Sequence, residues 1–210
     1  MPTATDRAQI PRFERPCWER GQLVLQGFVG PGYIDEVSLE GTGSDVEIDA
    51  SEYGEIPVIG GGGQWKLGGE SVDFGLELLF SVSWRTNAVA FASTGTGAVV
   101  AVDVDTLLGD VFGGPFVNVF FGRDCRLYGA LGPTLQFVDY VQEDAAGDEI
   151  DGFGSGWGAY ARAGFEFRLP DNMFLGLAVR RNEVDVDLGS GLGTFGLDST
   201  QLVLTATTGF

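Results

Sequence analysis

Histidine is absent from the 210 residues. That removes Ser-His-Asp and Cys-His catalysis, imidazole metal sites and the usual pH switch. What remains is carboxylate and guanidinium chemistry: 30 acidic side chains against 12 basic ones, a net charge of −18. Paired carboxylates can act as acid and base, and their oxygens are hard ligands suited to Ca²⁺. Asp35, Glu36, Glu40, Asp45, Glu47, Asp49, Glu52 and Glu55 place eight acids in one stretch without Lys or Arg. Asp139, Glu143, Asp144, Asp148, Glu149 and Asp151 place six more in another. Neither has the ligand order of an EF-hand. A solvated, repulsive acidic surface is expected, with Ca²⁺ on Asp45, Glu47, Asp49, Asp144, Asp148 and Glu149 the one cofactor to weigh. Alternating pairs such as Asp103 with Asp105, Glu183 with Asp185 and Asp185 with Asp187 are ordinary for this composition. A second set mixes both signs: Glu77, Arg85, Arg162, Glu166 and Arg180, with Gln64 and Lys66 nearby. Cys17 and Cys125 are too few for a disulfide scaffold and lack zinc spacing. The acid excess also argues against nucleic acid, whose phosphates need clustered Lys and Arg.

These residues are positioned by period-two patterning, which sorts side chains between the two faces of a strand. In 72–85, VDFGLELLFSVSWR, one face carries Phe74, Leu76, Leu78, Phe80, Val82 and Trp84, and the other carries Glu77 and Arg85. In 157–169, WGAYARAGFEFRL, Trp157, Ala159, Ala161, Ala163, Phe165, Phe167 and Leu169 share a face against Tyr160, Arg162, Glu166 and Arg168. In the last ten residues Leu202, Leu204, Ala206, Thr208 and Phe210 fall together. Eight such segments are predicted, at 22–33, 56–67, 72–92, 98–121, 126–138, 154–169, 173–188 and 197–210. Glycine, 34 of 210 residues, suits long strands with tight turns. Connections alternate between short (68–71, 122–125, 170–172) and long (34–55, 139–153, 189–196), with a tighter turn near 94–97. No stretch reaches the roughly 18–20 apolar residues of a membrane helix. Strands of this length cross a bilayer when tilted, and barrels in bacterial outer membranes pair short periplasmic turns with long outer loops. A soluble calyx is the alternative. It would expose Lys and Glu freely, yet Lys66 is the sole lysine, and the large aromatics crowd the face opposite the charges.

The stretches VFFGRDCRLYGALGPTLQF and GAYARAGFEFRLPDNMFLGLAV, with the ending LVLTATTGF, resemble the OmpA-type eight-stranded outer-membrane barrel superfamily. The resemblance covers roughly residues 21–210. It implies an all-β fold, an eight-stranded antiparallel up-and-down transmembrane barrel, lying in outer-membrane lipid and lipopolysaccharide. It also implies that the final strand, closing on Phe210, is read by the barrel-assembly machinery. Barrel enzymes on similar scaffolds, lipid A deacylases and palmitoyl transferases, use a histidine, so no catalytic role is expected. Residues 1–20 form a separate periplasmic segment, and 21–210 the barrel. The N-terminus shows no apolar leader core. A gene start placed elsewhere is expected, rather than a cytosolic protein.

Within that barrel Glu77, Arg85, Arg162, Glu166 and Arg180 point into the lumen. An eight-stranded barrel is just wide enough to be filled by side chains. Charges there must pair or stay hydrated. A salt-bridged plug is expected, with Glu77 and Glu166 as partners for Arg162; the alternative is a narrow polar path through gaps left by Gly158 and Gly164. Arg12, Arg15, Arg20, Arg123 and Arg126 are assigned to the periplasmic rim. Cys17 and Cys125 reach that rim too, in an oxidising compartment. They form a disulfide strap beneath the barrel or remain two separate thiols. The expected role is non-enzymatic and structural or surface-facing. A narrow channel for small solutes or apolar molecules, and a subunit docked to a larger envelope assembly, are the alternatives.

Overall fold

The computed structural model describes residues 22–41, 44–48, 55–69, 72–93, 99–121, 124–143, 149–187 and 194–209. Their strands are β1 Leu23–Gly41, β2 Ser44–Ile48, β3 Glu55–Gly68, β4 Val72–Ser93, β5 Val99–Phe121, β6 Cys125–Glu143, β7 Glu149–Arg168, β8 Met173–Asp187 and β9 Thr194–Gly209. All join one antiparallel sheet, and β1 closes on β9. Strand β2 is the returning arm of the upper part of β1: Gly41 faces Ser44 and Val37 faces Ile48. It precedes β3 on the same stave, so the barrel has eight staves. Among the described residues no helix is long and apolar enough to cross a membrane.

Closure sets the tilt. A rung followed from Phe28 passes through Gly60, Ser81, Asp110, Gln136, Gly156, Val186 and Phe195, and meets β1 again at Leu39. That is 11 residues above its start, one of them taken up by a bulge between Ile34 and Glu36. A stagger of this size on eight staves tilts the strands about 40° to the barrel axis.

Alternation then divides the side chains. Outward positions carry Phe74, Leu76, Leu78, Phe80, Phe165, Phe167, Leu202 and Leu204, all exposed on an isolated barrel. Their apolar belt is what lipid requires, and Trp65, Tyr33, Trp84 and Trp157 stand toward its two edges. Inward positions pack a cluster of Phe28, Val58, Leu79, Phe112, Phe116, Tyr128, Ala130, Tyr160, Ala178 and Val203. Small residues make room for it: a Cβ on Gly60 would meet the Phe28 ring at 2.3 Å.

The short turns are tight at the lower rim. Gly69 has φ +111°, which suits a residue without Cβ, and Asp171 takes φ 63° in the 3₁₀ turn Pro170–Asn172. The amide of Arg168 donates to the Asp124 carbonyl at 2.7 Å, tying two turns together. The predicted segments match the strands at this rim. At the opposite end they fall short. Segments 34–55 and 139–153, expected as loops, are largely strand, because β1 runs to Gly41, β2 follows, and β6 and β7 run to Glu143 and from Glu149. Their apolar alternation is short, Val37 with Leu39 on β1 and Val46 with Ile48 on β2, and interleaved with acids, so it reads as loop. Residues of the turn near 94–97 fall outside the described ones.

Leu78 lies in the middle of the belt on β4. Arginine at that position should lower stability by about 2–4 kcal/mol, as expected near a bilayer midplane. Urea unfolding in phosphatidylcholine vesicles measures it, and an unchanged midpoint would contradict the lipid-facing register.

Candidate functional site in the lumen

Eight charged side chains are buried among the described residues: Lys66, Arg126, Arg162 and Arg180 against Asp73, Glu77, Asp110 and Glu166. Their charges balance. At the lower end Lys66 on β3 meets Asp73 on β4 at 2.9 Å.

Above them six side chains close a ring across the lumen. On β7, Arg162 grips Glu77 of β4 through two nitrogens, Nε to Oε1 at 2.8 Å and Nη2 to Oε2. Its Nη1 donates to Gln26 Oε1 on β1. Gln26 Nε2 donates to Glu166 Oε1 at 2.9 Å. Glu166 Oε2 lies 3.5 Å from Arg126 Nη1 on β6. Arg126 Nη2 donates to Gln64 Oε1 on β3 at 3.1 Å, and Gln64 Nε2 returns to Glu77 Oε2 at 2.8 Å. Tyr160 donates to Glu77, and Thr205 and Thr207 donate to Glu166, filling further carboxylate lone pairs. Tyr128 presents its ring to both guanidinium groups, with Arg126 at 4.7 Å and Arg162 at 5.1 Å from the centroid. Cation–π contacts of this kind strengthen when water is excluded.

A second knot lies higher. Arg180 Nη2 donates to Ser81 Oγ at 2.8 Å and Asp110 Oδ2 at 3.0 Å, and its guanidinium stacks 4.1 Å from the Phe112 centroid. Gln136 Nε2 donates to Asp110 Oδ1 at 2.9 Å. A void of about 10 Å³ adjoins it, lined by Phe28, Phe112, Arg162, Ala178, Arg180, Gln201 and Val203. That volume admits about one water molecule. Leu108, Val138, Val184 and Leu197, all buried, carry an apolar layer on the inner wall nearer the upper rim.

Of the expected lumen residues, Glu77, Arg162, Glu166 and Arg180 are buried inside, and Arg85 is half buried on the inward side of β4. Arg162 meets Glu77, whereas Glu166 meets Arg126. Arg126, assigned above to the rim, is instead a fully buried lumen residue. It is the second residue of β6, already past the turn, and its parity turns it inward. Asp110 and Asp73 were not singled out; their alternation with outward Val111, Phe74 and Val72 was the available signal. The gaps at Gly158 and Gly164 that the alternative polar path would need are occupied. The Tyr128 ring takes the place of a Gly164 side chain, and the Glu183 backbone and Val184 close on Gly158. Glu183 and Asp185 face outward.

Asp45 and Glu47 fall on β2 and Glu149 opens β7, as backbone positions, while Asp49, Asp144 and Asp148 lie outside the described residues. Among the described residues no three His, Cys, Asp or Glu side chains gather as metal ligands. Cys125 opens β6, half buried, without a disulfide among the described residues. Cys17, the segment 1–20 and Phe210 lie outside them.

Arg162→Ala should cost about 3–5 kcal/mol by stranding buried Glu77, whereas Asp139→Ala, at an exposed position, should be near neutral. Replacing the pair together, Arg162→Met with Glu77→Leu, should recover most of that loss. Urea midpoints of the three variants measure this, and equal midpoints for the two single variants would mean that the lumen is hydrated enough to make the pairing irrelevant.

No family model matches the chain, and no curated protein matches it. Solved structures do. The outer membrane protein OprG from Pseudomonas aeruginosa is 12% identical, covering 94% of this chain and 99% of that one, with a TM-score of 0.55. The outer membrane protease OmpT from Escherichia coli is 10% identical, covering 90% and 97%, with a TM-score of 0.52. Ail, the attachment invasion locus protein of Yersinia pestis, is 14% identical over 91% and 100%, with a TM-score of 0.45. At such identities the likeness is one of fold, and it rests on the first two. With its apolar belt, filled polar interior and eight closed antiparallel staves, the chain has the fold of a bacterial outer-membrane β-barrel.

Proposed function

We propose that this is a small, non-enzymatic barrel whose lumen is a plug and whose work is done at its outer surface, in a structural or surface-interaction role. The observation that carries the proposal is the closed ring of Gln26, Gln64, Glu77, Arg126, Arg162 and Glu166, which spans the lumen and holds each of its two carboxylates on a cation. A carboxylate fixed in this way is a poor general base, and the chain has no histidine to replace it. The outer hairpins extend beyond the belt and carry most of the two acidic stretches. Ca²⁺ held by those acids, contact with lipopolysaccharide, and delivery by the barrel-assembly machinery through the strand ending in Phe210 belong to the same proposal.

A narrow channel is the competing reading, and it requires the ring to open. Planar-bilayer recordings discriminate. The native barrel should give no conductance steps at moderate voltage, and Glu77→Gly with Arg162→Gly should introduce them. Steady ion-selective conductance from the native protein would overturn the plug in favour of the channel.

A further inference from the structure

The apolar belt is not level. On β6, outward positions stay apolar or glycine from Leu127 through Leu131, Pro133 and Leu135 to Phe137. On β4 they run from Val72 to Trp84. On β8 they stop at Val179, the third outward position after Met173, and Arg181, Glu183, Asp185 and Asp187 follow outward. On β9 they stop at Leu202, with Thr200 and Asp198 above.

The ladder shows how deep this step is. Leu131, Ala161 and Arg181 share a rung, as do Pro133, Ala159 and Glu183, then Leu135, Trp157 and Asp185, then Phe137, Ser155 and Asp187. Leu131 and Trp157 are 63% and 68% exposed, so these are lipid-facing levels on β6 and β7. Rungs climb from β6 to β8 by roughly 6 Å over two strands at this tilt. The eight residues from Val179 to Asp187 climb roughly 20 Å. The edge of the belt is therefore roughly 14 Å lower on β8 than on β6.

The charges in the notch are outward and ordered. Arg181 Nε donates to Glu183 Oε1 at 3.1 Å and its Nη2 to Asp198 Oδ2 at 3.2 Å, with the Arg181 side chain 55% exposed. The contacts draw the guanidinium toward the upper rim, as a long cationic side chain does when its base lies in lipid. With Asp185 and Asp187, the outward groups above Val179 on these two strands carry one positive and four negative charges. Acyl chains cannot solvate such a wall; a hydrated, polar layer can.

We propose that the headgroup layer of the outer leaflet dips to meet β8 and β9, so that the barrel thins the bilayer along one wall. This rests on the reading of the chain as a lipid-embedded barrel. Spin labels test it, on single cysteines introduced into a full-length Cys17→Ser, Cys125→Ser background reconstituted in phosphatidylcholine vesicles. Val82 on β4 lies ten residues above Val72, and Thr200 on β9 lies nine above Gly209, so the two labels stand at nearly equal heights. Leu78 and Leu204 make a deeper matched pair.

Collision with oxygen reports lipid, and collision with a water-soluble nickel chelate reports the polar layer. The deep pair should be oxygen-rich and nickel-poor alike. Thr200 should be several-fold more nickel-accessible than Val82. Adding Arg181→Leu, Glu183→Leu and Asp198→Leu should return Thr200 to the Val82 value. Equal oxygen-rich signals at Thr200 and Val82 would overturn the proposal. So would a Thr200 label shielded from both reagents, which would mean that a second copy or another protein covers the wall. Nickel access at Leu78 and Leu204 would instead remove the lipid-embedded reading, and the proposal with it.

Discussion

A sheet immersed in lipid finds no water for its edge amides, so every backbone donor and acceptor must be paired within the protein. Here that constraint is met by the pairing of β1 with β9 from Val24 and Gly209 up to Glu40 and Thr194. Closing eight staves fixes the stagger, the stagger fixes the tilt, and the tilt decides which residues share a level. Everything inside follows from the bore this leaves. It is wide enough that large side chains are needed to fill it.

The filling is partly ionic, and its energetics are those of balance. Among the described residues four cations and four anions are buried, and each cation has a carboxylate within 3.5 Å. Buried pairs of this kind add little net stability over an apolar filling, yet losing either member is costly. Their value here is specificity of register. Sliding any strand by one residue would turn Glu77, Arg162 or Glu166 into lipid and Leu78 or Phe165 into the lumen. The aromatic faces of Tyr128 and Phe112, against Arg126, Arg162 and Arg180, occupy space that small side chains would leave to water.

Much of this was legible in the residues themselves. The alternation through Phe74, Leu76 and Leu78 against Glu77 identifies strand, face and membrane at once, because a helix would scatter the same residues. The final strand reads equally well through Leu202 and Leu204. What escaped did so for physical reasons. Arg126 follows a turn next to Cys125, where charge is common and parity cannot be counted from one residue. Asp110 sits on β5, whose Gly113, Gly114 and Pro115 interrupt the apolar period. The outer parts of β1, β6 and β7 interleave acids with only a short apolar alternation, so a paired hairpin there has the composition of a loop. Nor does a linear pattern reveal that Gly164 exists to seat Tyr128, since the two lie on neighbouring strands 36 residues apart.

The ring across the lumen has a consequence for how the chain is built. Lys66 and Asp73 belong to one hairpin and Arg126 and Glu166 to another, but Arg162 waits for Glu77, 85 positions earlier. A chain assembled hairpin by hairpin therefore carries the Arg162 guanidinium and the Glu77 carboxylate apart on its inner face until β4 and β7 face each other across the lumen. Burying either group before its partner arrives is costly. Closure of the seam between β1 and β9 and the meeting of Arg162 with Glu77 are thereby coupled, since both need the sheet to curl into the barrel.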